Sequence, residues 1–489
     1  MMNIKFKKIW QWLGFSLITI ALIITTHNVA FADIPPSYKN LKYPPLPEIK
    51  LPEYERYQLS NGMVIYLMED RRLPLISGNA IIRTGTRFDP SSQVGLGDLT
   101  GDLIRLGGTK NHTPEQLNSI LEQKASAIET SIDTASGSAS FTSLSYDLDT
   151  VFSLFAEVLQ NPIFDEQQFN LQLTKYQGAI ARRNDDPGQI AGREFAKLIY
   201  GDNSPYANTI EYKTLNNISR EDLVKFYSNY IRPENIILGI VGDFDRTQMK
   251  SLIAKTFGNW QVKNPYSPAE ITSVKQEKIG GIYIVDQPQL TQSNILLGHL
   301  SGKLDDPNYG TLSVINGILN GFGGRLYNEI RSTQGLAYSV YGVWRGNYDY
   351  PGVFVAGGQT KSETTAQFIT SMIAEIERLR TQPITEEELN YAKDSILNSF
   401  VFQFQDPSQT LSRLMTYEYF GYPNDFIFKY QKAVKNTTIE DVLRVAQEYL
   451  HPEKIVTLVV GNKEVVKQDL ANLHQKIISV DVTIPEFSS

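Results

Sequence analysis

Two aspartates four residues apart are the first side chains in this 489-residue sequence whose spacing could do chemistry. They lie in the run Gly95-Leu96-Gly97-Asp98-Leu99-Thr100-Gly101-Asp102, which continues through Leu106-Gly107-Gly108-Thr109 to a Gly-rich exit. The run reads as the opening of a helix, and positions i and i+4 put Asp98 and Asp102 on one face. Such a pair could contribute to a hard-cation site, although calcium or magnesium would need several more oxygen ligands nearby. The plainer reading is two solvated helix carboxylates, with Asp98 near the helix start, where the dipole favours negative charge. The histidines His27, His112, His299, His451 and His474 are scattered, so local spacing assembles no imidazole site from them. With no cysteine, the chain has no disulfide, thiolate metal site, cysteine nucleophile or lipid-modified N-terminal cysteine.

A second constellation lies 220 residues on. Asn320-Gly321-Phe322-Gly323-Gly324-Arg325-Leu326-Tyr327-Asn328-Glu329-Ile330-Arg331 is followed by Gly335-Leu336-Ala337-Tyr338-Ser339. Taken alone, an arginine and a tyrosine seven apart carry no meaning. Arg331 could end a helix and pair with its carbonyls or a neighbouring acid, and Tyr338 could pack in a strand.

Together, the two runs resemble the insulinase, pitrilysin and mitochondrial processing peptidase family, over most of Leu51 to Gly461. At the first run that family carries an inverted zinc motif, His-x-x-Glu-His, in which two histidines bind zinc and the glutamate activates a water. Here the histidine positions are Asp98 and Asp102 and the glutamate position is Gly101. The family's third ligand is a glutamate on a later helix, yet Asn170 to Asn184 contains no Asp or Glu. The resemblance therefore implies a degenerate zinc motif and no metal bound by this chain. The second run matches the family's Gly-rich loop, on Gly321, Gly323 and Gly324, and its Arg-Tyr pair, on Arg331 and Tyr338. In the family that pair reaches the substrate peptide near the scissile bond, where a guanidinium and a phenol can donate to a carbonyl and its oxyanion.

The elements that must position these residues come in two similar sets. Glu221-Asp222-Leu223 through Tyr230, Pro233-Glu234 and Ile236 to Gly242 recurs 219 residues later, as Glu440-Asp441-Val442 through Tyr449, Pro452-Glu453 and Ile455 to Gly461. Asp186-Pro187 with Gln189 recurs as Asp406-Pro407 with Gln409, at an offset of 220. A repeat of this length implies two homologous halves. Strands are expected at Met63 to Met68, Ser77 to Arg83, Gly281 to Val285 and Asn294 to His299, with paired strands in Ala127 to Ser145 and Leu336 to Gly357. Helical periodicity marks Pro114 to Gln123, Asp165 to Arg183, Arg220 to Tyr230, Glu363 to Arg380, Glu386 to Phe402 and Ile439 to Tyr449. Strands and helices are grouped rather than alternating, so the class is α+β. The resemblance implies two mostly antiparallel sheets with helices packed on them, facing each other like a clam around a chamber. The expected divisions are a signal at 1–32, a Pro-rich lead-in at 33–50, an N-terminal domain at 51–262, a linker at 263–278 and a C-terminal domain at 279–480. Gly201-Asp202-Asn203-Ser204-Pro205-Tyr206 resembles a structural landmark of the family.

Residues 1–32 combine Lys5, Lys7 and Lys8, an apolar run from Trp10 to Ile24 and Ala30-Phe31-Ala32, as an export signal does. An uncleaved anchor is the alternative, although the run falls short of the ~20 residues a spanning helix needs. Cleavage would leave a periplasmic or extracellular chain with no membrane segment. It would also move the formal net charge from −7 to −10, which argues against a nucleic-acid partner. The resemblance implies the non-zinc member of a two-subunit peptidase. Such a subunit binds peptide or unfolded protein, with a strand edge around Ala135 to Ser145 as its site. It lends an Arg-Tyr pair to a zinc-bearing homologue, and binds no cofactor itself. A catalytically inactive peptide-binding or scaffold protein is the alternative.

Overall fold

In the computed structural model the chain divides into a unit of residues Met1–Ile49 and a unit of Lys50–Ser489. The structure describes residues 51–262, 270–473 and 475–485, all within the second unit. The expected signal, the Pro-rich lead-in, the first part of the linker, His27 and His474 lie outside the described residues. Among the described residues no helix is long and apolar enough to cross a membrane.

The first half runs β1 (Glu55–Gln58), β2 (Val64–Glu69), β3 (Leu75–Ile82), α1 (Leu96–Leu106), α2 (Pro114–Gln123), β4 (Ala127–Ile132) and β5 (Gly137–Leu144). It continues with α3 (Leu148–Gln160), α4 (Glu166–Arg182), α5 (Pro187–Tyr200), α6 (Tyr212–Asn216), α7 (Arg220–Tyr230), β6 (Ile236–Gly242) and α8 (Arg246–Phe257). The second half repeats the plan with β7 (Ile282–Asp286), β8 (Gln292–Leu300), α9 (Tyr309–Leu319), a π-helical turn (Tyr327–Thr333), β9 (Val340–Trp344) and β10 (Val353–Lys361). Then follow α10 (Thr365–Thr381), α11 (Glu386–Phe400), α12 (Pro407–Phe420), α13 (Phe426–Asn436), α14 (Ile439–Tyr449), β11 (Val456–Gly461), α15 (Lys463–Leu470) and β12 (Ile477–Val480). The repeat seen in the sequence lands on equivalent elements. α7 and α14 each open on a reciprocal capping box, Ser219 with Asp222 and Thr438 with Asp441, and each leads into a buried strand, β6 or β11.

Each half contributes one six-stranded sheet, ordered β1-β2-β6-β3-β5-β4 and β12-β7-β11-β8-β10-β9. The class is α+β, as expected. Both sheets are mixed: β6 joins β2 in parallel, and β7 has parallel neighbours in β11 and β12, while the other pairings are antiparallel. The expectation of a free edge around Ala135 to Ser145 is corrected. β5 is paired along its length with β3 on one side and β4 on the other, so β4 is the edge. Strand content is legible locally, but which strand is left outermost is set by pairing between distant segments.

One face of each sheet packs on helices of its own half. The opposite face is covered in part by a helix of the other half. α12 lies on β2, β3 and β6 of the first sheet, and α5 lies on β8 and β11 of the second. Leu411, Leu414, Met415 and Tyr419 thereby join Tyr66, Met68, Ile237 and Val241 in one buried cluster. Gly239 in β6 permits the approach, since a Cβ there would lie 2.2 Å from the Met415 sulfur. Ile190, Phe195 and Ile199 pack likewise on Tyr283, Val285, Leu458 and Val460.

Polar contacts line the seam. Arg87 Nη1 donates to Asp349 Oδ2 at 2.7 Å, with only 6% and 17% of the two side chains exposed. Arg83 donates to the Tyr419 carbonyl and the Tyr419 hydroxyl to the Ala135 carbonyl, both at 2.7 Å. Arg56 forks onto Glu418, which also accepts from the Tyr66 hydroxyl. The Gly201 to Tyr206 landmark belongs here, because Tyr206 stacks on Tyr350 with centroids 4.1 Å apart. Truncating one partner of a buried ion pair leaves the other charge uncompensated. Asp349→Ala is therefore expected to lower stability by about 3 kcal/mol, measured by urea denaturation.

Candidate functional site

The degenerate zinc position is built on α1, which begins at Gly95 in a left-handed conformation (φ 106°). Asp89 holds this start, accepting from the Gly95 and Gly97 amides at 2.9 Å each. Burial lifts its carboxyl to about pKa 7, against the pull of those two amides. Asp98 is also partly buried, and burial raises it to about 6, with the negative fields of Asp102 and Asp133 adding. Asp102 is raised by burial too, opposed by a 2.9 Å hydrogen bond from the Tyr176 hydroxyl. The expectation of two solvated carboxylates is thus corrected. α1 packs against β4, α7 and α4, and both aspartates are half-buried rather than fully solvated.

Tyr176 lies on α4, within the stretch where the resemblance places the third zinc ligand. Burial and the neighbouring carboxylates push its phenol well above the ordinary range, so it stays protonated and acts as a donor. Gly101, at the glutamate position, is closed over by β4: a Cβ would lie 2.5 Å from the Ile132 amide nitrogen and 2.8 Å from the Ser131 carbonyl carbon. Thr130 fastens the same contact by donating to the Gly101 carbonyl at 2.6 Å. Two carboxylates raised in pKa and a protonated phenol, with no imidazole or thiolate, do not fit zinc. Among the described residues no cluster of three His, Cys, Asp or Glu side chains suits a metal ion.

The described histidines have structural partners. His112 meets Glu157 at 3.0 Å. His299 is buried, donates from Nδ1 to the Leu300 carbonyl at 2.8 Å and accepts at Nε2 from the His451 amide at 3.1 Å. Burial lowers its pKa to about 4 and keeps it neutral. His451 itself pairs with Glu453 at 3.0 Å.

The second constellation comes together. Asn320 ties the Gly-rich loop to β9, donating to the Gly342 carbonyl at 2.7 Å and accepting from its amide at 3.1 Å. The loop then lies flat on the Tyr391 ring of α11. A Cβ on Gly321 or Gly323 would come within 2.7 Å of Tyr391, and the Gly323 amide donates to the Tyr391 hydroxyl at 3.0 Å. Arg325 forks onto Glu388 of the same helix. From this base the π-helical turn projects Arg331, whose guanidinium carbon sits 4.6 Å from the Tyr338 ring centroid and 4.9 Å from that of Tyr327. Short π-helical stretches recur at functional positions.

Tyr338 precedes β9 and is 83% exposed, so it does not pack in a strand. Among the described residues Arg331 makes no ion pair; its company is the two rings, a cation–π arrangement that leaves its N–H edges available. Phe322, 79% exposed, extends the row with its ring 5.1 Å from Tyr327. Sequence reasoning missed Phe322, Tyr327, Glu388 and Tyr391 as parts of this site. The aromatics flanking the Gly-rich loop were the available signal for the first two, whereas Glu388 and Tyr391 come from a helix more than sixty residues away.

Gly101→Ala sets two effects against each other. Alanine gains about 1 kcal/mol in helix propensity, whereas overpacking against β4 costs about 1–3 kcal/mol. A net loss of about 1 kcal/mol or more is expected in urea denaturation, because the clash is with backbone that can move only by shifting the strand.

Comparison with known proteins identifies the family. The family described as "Insulinase (Peptidase family M16)" matches residues 79–210, and "Peptidase M16 inactive domain" matches residues 217–396. An uncharacterized zinc protease of Rickettsia felis is 23% identical over 430 residues, covering 86% of this chain and 94% of that protein. One from Mycobacterium leprae is 27% identical over 277 residues, covering 55% of this chain and 61% of its own length. The crystal structure of a peptidase M16 inactive domain from Pseudomonas fluorescens superposes with a TM-score of 0.75 at 23% identity, covering 83% of this chain and 98% of that one. A protease from Helicobacter pylori gives 0.74 at 21% identity, with 84% and 100% covered. With both halves matched in order and the same fold in these structures, the chain belongs to the insulinase family of peptidases, family M16.

Proposed function

We propose that this chain is the non-zinc subunit of a two-subunit endopeptidase, holding an extended peptide and presenting Arg331 and Tyr338 to its scissile region. One observation carries this reading. The zinc position is closed by Gly101 against β4, while Arg331 and Tyr338 are stacked side by side with the phenol exposed. A half-buried guanidinium and an exposed phenol held on a braced loop can donate to a peptide carbonyl and to the oxyanion formed when it is attacked. Residues that stay put during the reaction contribute more than mobile ones, and the Tyr391 and Glu388 contacts supply that restraint. The partner would be an M16 homologue with an intact zinc motif. The peptide edge in this chain would be β4, beside α1, with Glu129 and Ser131 on its exposed side. Export directed by residues 1–32 would place the pair in a periplasmic or extracellular setting.

A binding or scaffold role without catalysis is the second reading. It is favoured by the hydrogen bond from Tyr176 to Asp102, which puts a protein–protein contact where the family holds its metal.

The deciding experiment assays quenched fluorescent peptides with this chain alone, a zinc-motif homologue from the same source alone, and the two mixed. Activity that rises only on mixing is expected. Arg331→Ala and Tyr338→Phe should each lower that turnover by roughly 10², the scale of losing an oxyanion donor. Unchanged turnover in both variants would assign the chain to the binding role. Elemental analysis of the purified chain is expected to find no stoichiometric zinc, and about one zinc per chain would overturn the reading of α1.

A further inference from the structure

We propose that the cavity between α5 and the second sheet is a subsite for one large apolar or aromatic side chain of a bound peptide. The inference rests on the reading that this chain holds extended peptide. The cavity has a volume of about 360 Å³ and is walled by Gly188, Ala191 and Gly192 of α5, Leu296 of β8 and Tyr341 of β9. No charged residue lines it. Asn294 and Gln359, joined by a 2.7 Å amide hydrogen bond, complete its polar part.

The internal repeat supplies a control within the same molecule. At the offset of 220, Gly188, Ala191 and Gly192 correspond to Ser408, Leu411 and Ser412 of α12, which line the twin cavity against the first sheet. The twin holds about 220 Å³, with Leu411 and Met415 reaching into the space. α5 carries smaller residues at 188, 191 and 192, while Phe195 stands opposite Met415 in the repeat, and the space beside Gly192 is open. A Cβ on Gly192 would meet nothing within 4 Å. Close packing therefore does not demand glycine here, although glycine weakens a helix interior relative to alanine. A local rule broken without a packing reason marks functional positions.

One residue of the lining, Ser339, directly follows Tyr338 in the chain, which ties the cavity to the segment that carries the Arg331–Tyr338 pair. β9 is the outer strand of its sheet, and a peptide running in extended form past Tyr338 directs alternate side chains to one face. A neutral wall of Leu296, Ala191 and Tyr341 suits an apolar or aromatic side chain and disfavours a charged one.

The test is fluorescence anisotropy on the full chain with labelled pentapeptides, acetyl-Ala-Ala-Xaa-Ala-Ala-amide, where Xaa is Phe, Leu, Ala or Glu. Phe and Leu are expected to bind about tenfold more tightly than Ala or Glu. Gly192→Ala should weaken that preference and Gly192→Leu erase it, with no fall in melting temperature, while Leu411→Ala in the twin cavity leaves it intact. Equal binding of all four peptides, or a preference untouched by Gly192→Leu, discards the subsite and leaves the peptide-holding reading standing. No binding of any pentapeptide discards both.

Discussion

Each sheet has a second apolar face that its own half does not cover. α12 crosses from the second half onto β2, β3 and β6, and α5 crosses from the first half onto β8 and β11. This exchange accounts for the character of the central strands: β6 and β11 are buried at every residue and read as nearly continuous apolar runs, broken only by Thr457, rather than alternating ones. It also places the Arg87–Asp349 ion pair where the opposite half shuts out most of the water, and an unpaired charge there would be costly.

On this shared scaffold the two halves have diverged in opposite directions. In the first, the helix that resembles a zinc helix has drawn close to β4. Gly101 removes the side chain that would separate them, Thr130 bonds across the gap and Tyr176 caps Asp102 from the far side. The contacts reinforce one another, and the low polarity they create raises the pKa of both aspartates. In the second half the glycines have the reverse effect. Gly321 and Gly323 let the loop settle onto Tyr391, which fixes the backbone and leaves Phe322 and Tyr338 exposed with Arg331 beside them. Glycine closes one site and braces the other, because in one the missing Cβ faces a strand and in the other it faces a ring.

The Arg325–Glu388 ion pair braces the loop, while Arg331 itself is held by the aromatic row. A guanidinium flanked by two rings keeps its planar orientation while its N–H groups stay free to donate. An acidic partner would hold Arg331 equally well but would compete with a carbonyl or oxyanion for the same donors.

Local chemistry made much of this legible in the sequence. The 219-residue echo and the helical periodicity of Pro114–Gln123 and Ile439–Tyr449 are short-range patterns, and each falls on the elements expected. What the sequence did not reveal depends on segments far apart along the chain. β5 is interior because β3 and β4 flank it, Asp98 and Asp102 are half-buried because α1 packs on β4 and α4, and Tyr391 reaches the loop from another helix. Periodicity states which face of an element is apolar. Only tertiary packing decides which element covers that face, because burial is a property of the neighbours and not of the residue.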